Sequence, residues 1–507
     1  MEPAKRIIVN TLAQYLKALI NICLSLYSTR LILDALSISD FGIYAVVGGV
    51  VALLGFITNS LLVTTQRFVS FYHGRGDIAY VGKIFSNSLF LHVVFGVAIA
   101  FVLVLLKGWL FGGVLNIPPE RIETAGSVYY ITIGILIITV VTAPFKALFI
   151  ARENIVYVSV VEVLDGIVKF AFAVILTLIS TDRLMVYALM MCIIQMLNFL
   201  AFSIYGHIQF EECSMVIRRH DIDRIIQRQL MGFTGWTIYS MGTNAAKTQG
   251  TAVIINHFAG TVANAAYGVA AQVNAAIFFV SSSIINAMNP QIIKAEGEDD
   301  HQRMLRLAGL ESKYSTILLA LVSIPIMIEL PDILAAWLKE VPEDTTMFCT
   351  FILATALADQ FTIGLHTANR AQGKIGLFTF VMFTPKLLCL PIGWWLLYTG
   401  HTMESVMWAY LITEIVIAMA RIPWLKVTAG LNTTEFIRQS VLPVVPLVVA
   451  QLAFGWGCVQ VMHFHLRFLV SLPLSVLFGL AVVWFFSLGE EEHIYMLKLA
   501  KSKLSRK

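Results

Sequence analysis

The chain has 507 residues, of which 58% are apolar and only 13% are charged, and its mean hydropathy is +0.80. Soluble globular domains carry roughly 25% charged residues, so this composition excludes an ordinary soluble domain and indicates a chain solvated by lipid. The formal net charge of +4 comes from basic residues spread over many short loops, which excludes the compact basic surface that a nucleic-acid partner requires.

Apolar windows long enough to cross a bilayer recur along the whole chain. A hydrocarbon core of about 30 Å needs about 20 mostly apolar residues per helix, and fourteen such windows fit between polar breaks. The predicted helices are 7–33, 41–64, 84–107, 125–148, 155–179, 184–206, 231–258, 262–287, 314–330, 346–368, 375–398, 404–424, 441–462 and 468–487. The sequence therefore predicts an all-α polytopic membrane protein of about 14 transmembrane helices.

The first window and the basic residues together predict the orientation. The window 7–33 contains Lys17 and is followed by no small-residue cleavage pattern, so it is expected to stay attached as a helix. An even number of crossings puts both termini on one side, and most of the 35 Lys and Arg residues lie on that side. The positive-inside rule then predicts a multi-pass protein of the bacterial inner membrane with both termini in the cytoplasm.

The longest predicted cytoplasmic linker, 207–230, interleaves isoleucines with arginines. Ile217, Ile222 and Ile225 alternate with basic side chains, as in an amphipathic helix that lies at a membrane surface. The linker is therefore predicted to anchor at the bilayer interface. The alternative is a docking site for a cytoplasmic partner.

Helices one and seven carry polar side chains at the same steps of four, three and four residues. The matching sets are Asn10, Gln14, Lys17 and Asn21 in helix one and Ser240, Asn244, Lys247 and Thr251 in helix seven. Each set lies on one helix face, and FGIYAVVGGV at 41–50 also resembles AAYGVAAQV at 265–273. The repeat predicts two pseudo-symmetric six-helix lobes, 1–206 and 231–424, followed by helices 13 and 14 and a basic tail in 425–507.

Lys17, Lys247 and Arg30 lie inside predicted membrane helices, and neither lysine has an acid on its own helix. Lys17 and Lys247 lie too deep for easy snorkelling, so each either finds a buried acid or carbonyl on another helix or projects into a hydrated cleft. Arg30 lies nearer the other end of helix one, where it either snorkels or turns inward. In the cleft interpretation the helices bind a multivalent anion such as a diphosphate.

Acidic residues also lie within the predicted helices. On helix five, Glu162, Asp165 and Lys169 share a face and are expected to neutralise one another in part, as a structural or a functional group. Asp359 in helix ten and Lys386 in helix eleven lie at comparable depth and are expected to pair. Helix twelve adds Glu414.

Motifs for covalent chemistry are absent from the sequence. It contains no G-x-x-x-x-G-K-[ST], G-x-S-x-G or H-E-x-x-H pattern, and no predicted loop is long enough to form a catalytic domain. No cofactor, no metal and no enzymatic activity are predicted. An ion gradient or the membrane potential is expected to drive any transport.

The helix count, the paired halves and the cationic stripes resemble the bacterial polysaccharide flippases. These include the Wzx-like O-antigen exporters, within the superfamily of multidrug, oligosaccharidyl-lipid and polysaccharide exporters. The most family-like stretch is NTLAQYLKALINICLSLYSTRLILDALSISDFGIYAVVGGVVALLGFITNSLLVTTQRFVS, residues 10–70. The resemblance covers nearly the whole chain but is one of pattern, because this family has few fixed motifs.

The resemblance implies alternating access and the flipping of undecaprenyl-diphosphate-linked oligosaccharide from the cytoplasmic to the periplasmic leaflet. This step serves lipopolysaccharide and other surface-polysaccharide assembly, so the implied partners are the lipid-linked glycan, membrane lipids and other assembly proteins. The implied substrate-binding residues are Lys17, Lys247, Arg30, Gln14, Asn21, Asn244 and Thr251. The implied ion-coupling candidates are Asp359, Glu414 and Asp165.

Three other functions remain open at this stage. A multidrug or toxin antiporter of the same superfamily would need an acidic rather than a cationic cavity. A membrane-embedded glycan polymerase or acyltransferase would need a long outer loop or His and Asp clusters, which the sequence lacks. A structural scaffold would have no use for lysines inside the membrane, where each lowers stability.

Overall fold

The computed structural model describes residues 3–52, 54–114, 117–213, 221–338, 341–462, 464, 466–489 and 492–493. Nearly all of these residues are helical, and none of them forms a strand. The first seven helices are α1 Pro3–Ala52, α2 Gly55–Gly74, α3 Ile78–Trp109, α4 Ile122–Ala151, α5 Ile155–Thr177, α6 Arg183–Gln209 and α7 Arg224–Gly297. The others are α8 His301–Trp337, α9 Thr345–Gln360, α10 Ile363–Gln372, α11 Ile375–Tyr398, α12 Met403–Ala429, α13 Thr433–Phe436, α14 Val445–Val461 and α15 Phe468–Val482.

Short polar residues fix where several of these helices begin. The side chain of Asp77 accepts a hydrogen bond from the Tyr80 amide at 3.0 Å at the start of α3, and that of Asp223 accepts from Ile225 at 2.7 Å at the start of α7. Each bond satisfies a backbone donor that the first helical turn leaves without a partner. The helix boundaries thus follow from cap residues that the sequence already contains.

The predicted helices lie on observed helical segments, and the all-α membrane fold is confirmed. The prediction of a single helix at 41–64 is wrong, because α1 ends at Ala52 and α2 begins at Gly55. Among the described residues, ten helical segments are long and apolar enough to cross a membrane. The bent pair α9 and α10, at 48°, makes an eleventh. Helix α5 fails the same test because Glu162, Asp165 and Lys169 interrupt its apolar run. Numerous large apolar side chains are exposed, as expected for a surface solvated by lipid.

The predicted loop at 34–40 is wrong, because α1 continues through it as one 50-residue helix. Polar residues favour a turn in this stretch, but residues 34–40 include no proline or glycine to break a helix. Asp40 instead accepts two hydrogen bonds from Arg121, at 2.9 and 2.7 Å. A charged side chain is thereby accommodated within the continuous helix.

Helix α7 contains both the predicted seventh and eighth helices. The break expected between 258 and 262 occurs at Gly260, whose φ of 79° and ψ of −172° are strongly disfavoured for residues with a side chain. The predicted end at 287 is wrong, because the helix passes through Pro290 and ends at Gly297. The predicted start of the ninth helix at 314 is also wrong, since α8 begins at His301.

The chain separates into two compact units. Unit 1 comprises Met1–Met241 and Ile293–Asp300, and unit 2 comprises Gly242–Ile292 and His301–Lys507. The segment 293–300 belongs to unit 1 because it packs closely on the end of α2. A Cβ atom on Gly297 would lie 1.9 Å from the Phe71 carbonyl oxygen, so only glycine fits at this contact.

In unit 1, α1 packs along α5, and α4 packs against α2, α3 and α6. Aromatic and aliphatic side chains of α3 and α4 form the most deeply buried part, including Phe85, Tyr129 and Phe145. The Tyr129 hydroxyl donates to the Leu103 carbonyl oxygen at 2.8 Å, so this buried polar group is satisfied.

In unit 2, α8 is surrounded by α9, α10, α14 and α15, while α12 packs against α9 and α11. Leu321 and Ile324 of α8 form a buried cluster with Leu447 of α14 and Val482 of α15. The predicted last two helices therefore pack directly on the core helix of this unit.

The described part of the linker 207–230 forms no helix of its own. Residues 207–209 end α6 and 224–230 begin α7, whereas 214–220, with Ile217, lie outside the described residues. At the start of α7, Ile226 is buried and Ile225 is 69% exposed.

Candidate functional site

The first charge cluster lies in unit 1 between α1, α4 and α5. The carboxylate of Glu162 contacts the Lys17 amine at 2.7 Å and the Lys146 amine at 2.5 Å. We call these three residues the Glu162 cluster. The side chains are 28%, 18% and 32% exposed respectively, so the cluster is partly accessible.

The polar stripe of α1 faces α5 along its length. The Asn10 amide donates to the Glu153 carbonyl oxygen at 3.1 Å, and the Asn21 amide donates to the Glu162 carbonyl oxygen at 3.2 Å. Gln14 is 5% exposed. The stripe therefore packs against α5 and the turn before it, whose carbonyl oxygens accept from the Asn10 and Asn21 amides.

A second polar group lies one turn further along α5. Asp165 contacts Lys169 at 2.6 Å, which confirms that predicted pair, and accepts a hydrogen bond from Asn198 at 2.7 Å. Both charged side chains line a cavity of about 390 Å³ together with Asn21, Ser28 and Tyr187. Glu162 was predicted to share in neutralising Lys169. In the structure it pairs instead with Lys17 of α1 and Lys146 of α4.

The second cluster lies in unit 2, on α7, α9, α11 and α12. The carboxylate of Glu414 contacts the Lys386 amine at 2.7 Å and the Lys247 amine at 3.9 Å. Asp359 contacts Arg421 at 2.6 Å and Lys386 at 4.0 Å, which confirms the predicted pairing of Asp359 with Lys386. We call these five residues the Asp359–Glu414 cluster.

The Asp359–Glu414 cluster is more deeply buried than its counterpart. The side chains of Arg421 and Glu414 are 2% and 4% exposed, and that of Lys247 is 17% exposed. Arg421 also donates to the Asp359 carbonyl oxygen at 3.2 Å and to the Thr362 hydroxyl at 3.3 Å. Charge-assisted bonds of this kind offset the loss of hydration that burial imposes.

Both membrane lysines thus have carboxylate partners on other helices. Of the two interpretations left open by the sequence, the structure shows the pairing with buried acids for Lys17 and for Lys247. Lys247 is the more weakly held, since Glu414 is 3.9 Å away and lies closer to Lys386.

The remaining predicted residues occupy different environments. Thr251 is buried and its hydroxyl lies 3.2 Å from that of Tyr410, whose ring Lys247 overlies at 5.2 Å from its centre. Thr251 is therefore part of the surroundings of Lys247. Asn244 and Arg30 are exposed, and neither belongs to a cluster.

Two cationic partners were missed by the sequence analysis. Lys146 and Arg421 lie close to the predicted ends of their helices, so they were counted as loop residues that set the orientation. The structure places both within helices, α4 and α12, on carboxylates of neighbouring helices. Helical spacing gave no signal for either pair, because each carboxylate lies on a different helix from its cation.

Each cluster contains more cations than carboxylates. Glu162 faces two lysines, whereas Asp359 and Glu414 face two lysines and one arginine. A positive charge that is not balanced within a membrane segment attracts an anion strongly, because the local dielectric constant is low. The clusters are thus suited to hold phosphate or another anionic group without further chemistry.

The fold is similar to that of solved transporters described as MATE or MOP superfamily proteins. No protein-family profile matches the sequence, and no curated protein matches it. The likeness therefore lies in the three-dimensional structure.

Three solved structures illustrate the similarity. One is a MOP superfamily transporter from Pyrococcus furiosus, described by a binding pocket of reverse polarity that suggests a different function. It is 12% identical to this chain with a TM-score of 0.70, and the match covers 86% of this chain and 97% of that one. An outward-facing multidrug resistance MATE transporter is 13% identical with a TM-score of 0.71, covering 87% and 98%. A Vibrio cholerae MATE transporter is 16% identical with a TM-score of 0.69, covering 85% and 98%.

Proposed function

We propose that the protein is a secondary transporter that flips an undecaprenyl-diphosphate-linked oligosaccharide across the bacterial inner membrane by alternating access. The cargo moves from the cytoplasmic to the periplasmic leaflet for assembly of lipopolysaccharide or another surface polysaccharide. The observation that carries this proposal is the excess of cations over carboxylates in both membrane clusters.

A diphosphate matches these clusters in charge and in hydrogen bonding. Lys17, Lys146 and Lys247 retain side-chain exposures of 18%, 32% and 17%, so each side chain keeps accessible surface although its amine has a carboxylate partner. Ammonium groups form short, strong hydrogen bonds to phosphate oxygens. The carboxylates position the amines and keep the resting clusters close to neutral, so that the anionic cargo completes the charge balance.

The polarity of the site separates this proposal from drug export. A transporter of organic cations needs accessible carboxylates, whereas Asp359, Glu414 and Asp165 are each bound to a cationic side chain. The solved transporter from Pyrococcus furiosus, described by a pocket of reverse polarity, supports treating pocket charge as a guide to function in this fold. Transport without covalent chemistry agrees with the absence of catalytic motifs.

The pairing of these carboxylates with cations also restricts how the predicted ion-coupling residues could bind an ion. A sodium ion that binds at Asp359, Glu414 or Asp165 has to displace Arg421, Lys386 or Lys169 first. Their role in ion coupling stays a prediction. Replacing Asp359 or Glu414 by the amide tests it through the ion-gradient dependence of transport.

Binding of a defined anionic probe tests the proposed cargo. The probe is a fluorescent N-acetylglucosamine linked through diphosphate to a short prenyl chain, titrated into purified protein in nanodiscs. Lys17→Ala removes one amine but leaves Glu162 paired with Lys146, so the variant should fold and bind the probe roughly tenfold more weakly, as expected for the loss of one charge-assisted bond. Lys83→Ala, at an exposed lysine of α3, is the matched control and should bind normally.

The converse substitution separates cargo binding from a structural role. Glu162→Gln leaves two lysines without their carboxylate and should tighten probe binding even though it lowers stability. If the lysines only hold helices together, Lys17→Ala and Glu162→Gln will both weaken the fold and neither will alter affinity for the probe. Preferential binding of an organic cation such as ethidium would favour the drug-export alternative.

A further inference from the structure

Helix α8 carries two buried acids in opposite surroundings. The carboxylate of Glu329 is saturated, since one oxygen accepts from Arg467 at 2.9 Å and the other from the Ser471 hydroxyl at 2.8 Å. Glu311, with no exposed surface at all, has one oxygen 2.9 Å from the Thr367 hydroxyl. Its other oxygen has no hydrogen-bond donor among the residues that the structure describes. The two residues share a helix and a residue type but differ in their partners.

The hydrogen bonds around Thr367 indicate where a proton lies. The Thr367 hydroxyl is 2.9 Å from a Glu311 oxygen and also 2.9 Å from the Asn289 side-chain oxygen. A hydroxyl has one proton and donates once, so it cannot satisfy two acceptors. Both contacts are satisfied if Glu311 is a carboxylic acid that donates to Thr367, while Thr367 donates to Asn289. If the Asn289 amide is turned over, one Glu311 oxygen still lacks a donor.

The charged surroundings of Glu311 are sparse. Within the part of the chain that the structure describes, the charged group facing it is Arg370 of α10, which acts over a distance and forms no ion pair with it. Arg370 favours the carboxylate, whereas complete burial favours the neutral acid. A buried carboxylate with a single hydroxyl donor is more costly than the acid form.

We propose that Glu311 carries a proton in this conformation and is the group through which a proton gradient drives transport, an inference that rests on the proposed function. Protonation converts the carboxylate and one proton from water into a carboxylic acid, and release reverses it, so no other reactant is needed. Asp165, Asp359 and Glu414 are each held by a cationic side chain, but Glu311 is free to exchange its proton when its surroundings open.

Infrared spectroscopy of the purified protein tests the protonation directly. The wild type at neutral pH should show the carbonyl-stretch band of a protonated carboxylic acid, shifted in heavy water. Glu311→Gln should abolish it. Glu329→Gln and Glu404→Gln are controls that should retain the band, because Glu329 is paired with Arg467 and Glu404 is exposed. A wild-type spectrum that does not differ from that of Glu311→Gln in this band overturns the proposal.

Transport in proteoliposomes tests the coupling. Uptake of the prenyl-diphosphate probe by the wild type should rise several-fold with an imposed pH gradient, and Glu311→Gln should lose this dependence. If Glu311→Gln responds to the gradient as the wild type does, the coupling role is excluded. If the wild type fails to move the probe at all, the proposed cargo is wrong, whereas the infrared band still decides whether Glu311 holds a proton.

Discussion

The two charge clusters use the same chemistry at different depths. In the Glu162 cluster one carboxylate serves two lysines and is 28% exposed. In the Asp359–Glu414 cluster five charges alternate in sign across four helices, and the Glu414 and Arg421 side chains are nearly inaccessible. Removing one partner destabilises a buried cluster more than an exposed one, because the remaining charge stays poorly solvated. The open cluster is suited to exchange partners. In the buried one Lys247, at 17% exposed, keeps that capacity, while Glu414 and Arg421 hold helices together.

The largest effect is expected at Arg421. Its guanidinium is 2% exposed and makes three contacts, to the Asp359 carboxylate, the Asp359 carbonyl oxygen and the Thr362 hydroxyl. Arg421→Met should lower the free energy of unfolding by about 3 to 5 kcal/mol, the range for breaking a buried ion pair. Chemical unfolding in detergent measures the change. Lys426→Ala, at an exposed lysine of the same helix, should be close to neutral, and equal stability of the two variants would contradict the contrast between buried and exposed cations.

An intermediate effect is expected when the central carboxylates are compared. Glu414→Gln leaves Lys386 and Lys247 in a buried setting and should cost about 2 to 3 kcal/mol, whereas Glu162→Gln in the open cluster should cost about 1 kcal/mol. Parallel unfolding curves of the two variants give the difference. If Glu162→Gln lowers the free energy of unfolding more than Glu414→Gln does, burial does not explain the difference in stability between the clusters.

The smallest effect is expected at Lys169. Its amine contacts Asp165 one turn away on the same helix, but the side chain is 47% exposed. Pairs of this kind stabilise by about 0.3 to 0.5 kcal/mol and weaken with salt. Lys169→Ala should therefore shift thermal unfolding very little, and less still at high ionic strength. A loss comparable to that of Arg421→Met would show that the Asp165 group is structural.

The sequence predicted the helices well because the bilayer imposes a length and a composition on each of them. The predicted helix 375–398 coincides with α11, and the break near 260 coincides with Gly260. The errors lie where polarity was taken as a loop signal. Residues 34–40 and 301–313 contain several polar residues but are helical. Asp40, for example, pairs with Arg121.

The sequence revealed some of the ion pairs within the membrane helices but not others. Intrahelical spacing revealed Asp165 with Lys169, because such pairs depend on local geometry. The partners of Lys17 and Lys247 lie more than a hundred residues away in the sequence, and only the packing of helices brings them together. Glu311 was missed for a further reason. The predicted helix began three residues after it, although Met304, Ala308, Glu311 and Ser315 follow the spacing of one buried helix face.

The discontinuity of unit 1 has a consequence for biosynthesis. Its last segment, Ile293–Asp300, is translated only after the ribosome has made the stretch Gly242–Ile292 that belongs to the other unit. Until then the carbonyl groups at the end of α2 lack the backbone that closes over Phe71. A nascent chain therefore cannot complete its first unit before part of the second has been synthesised.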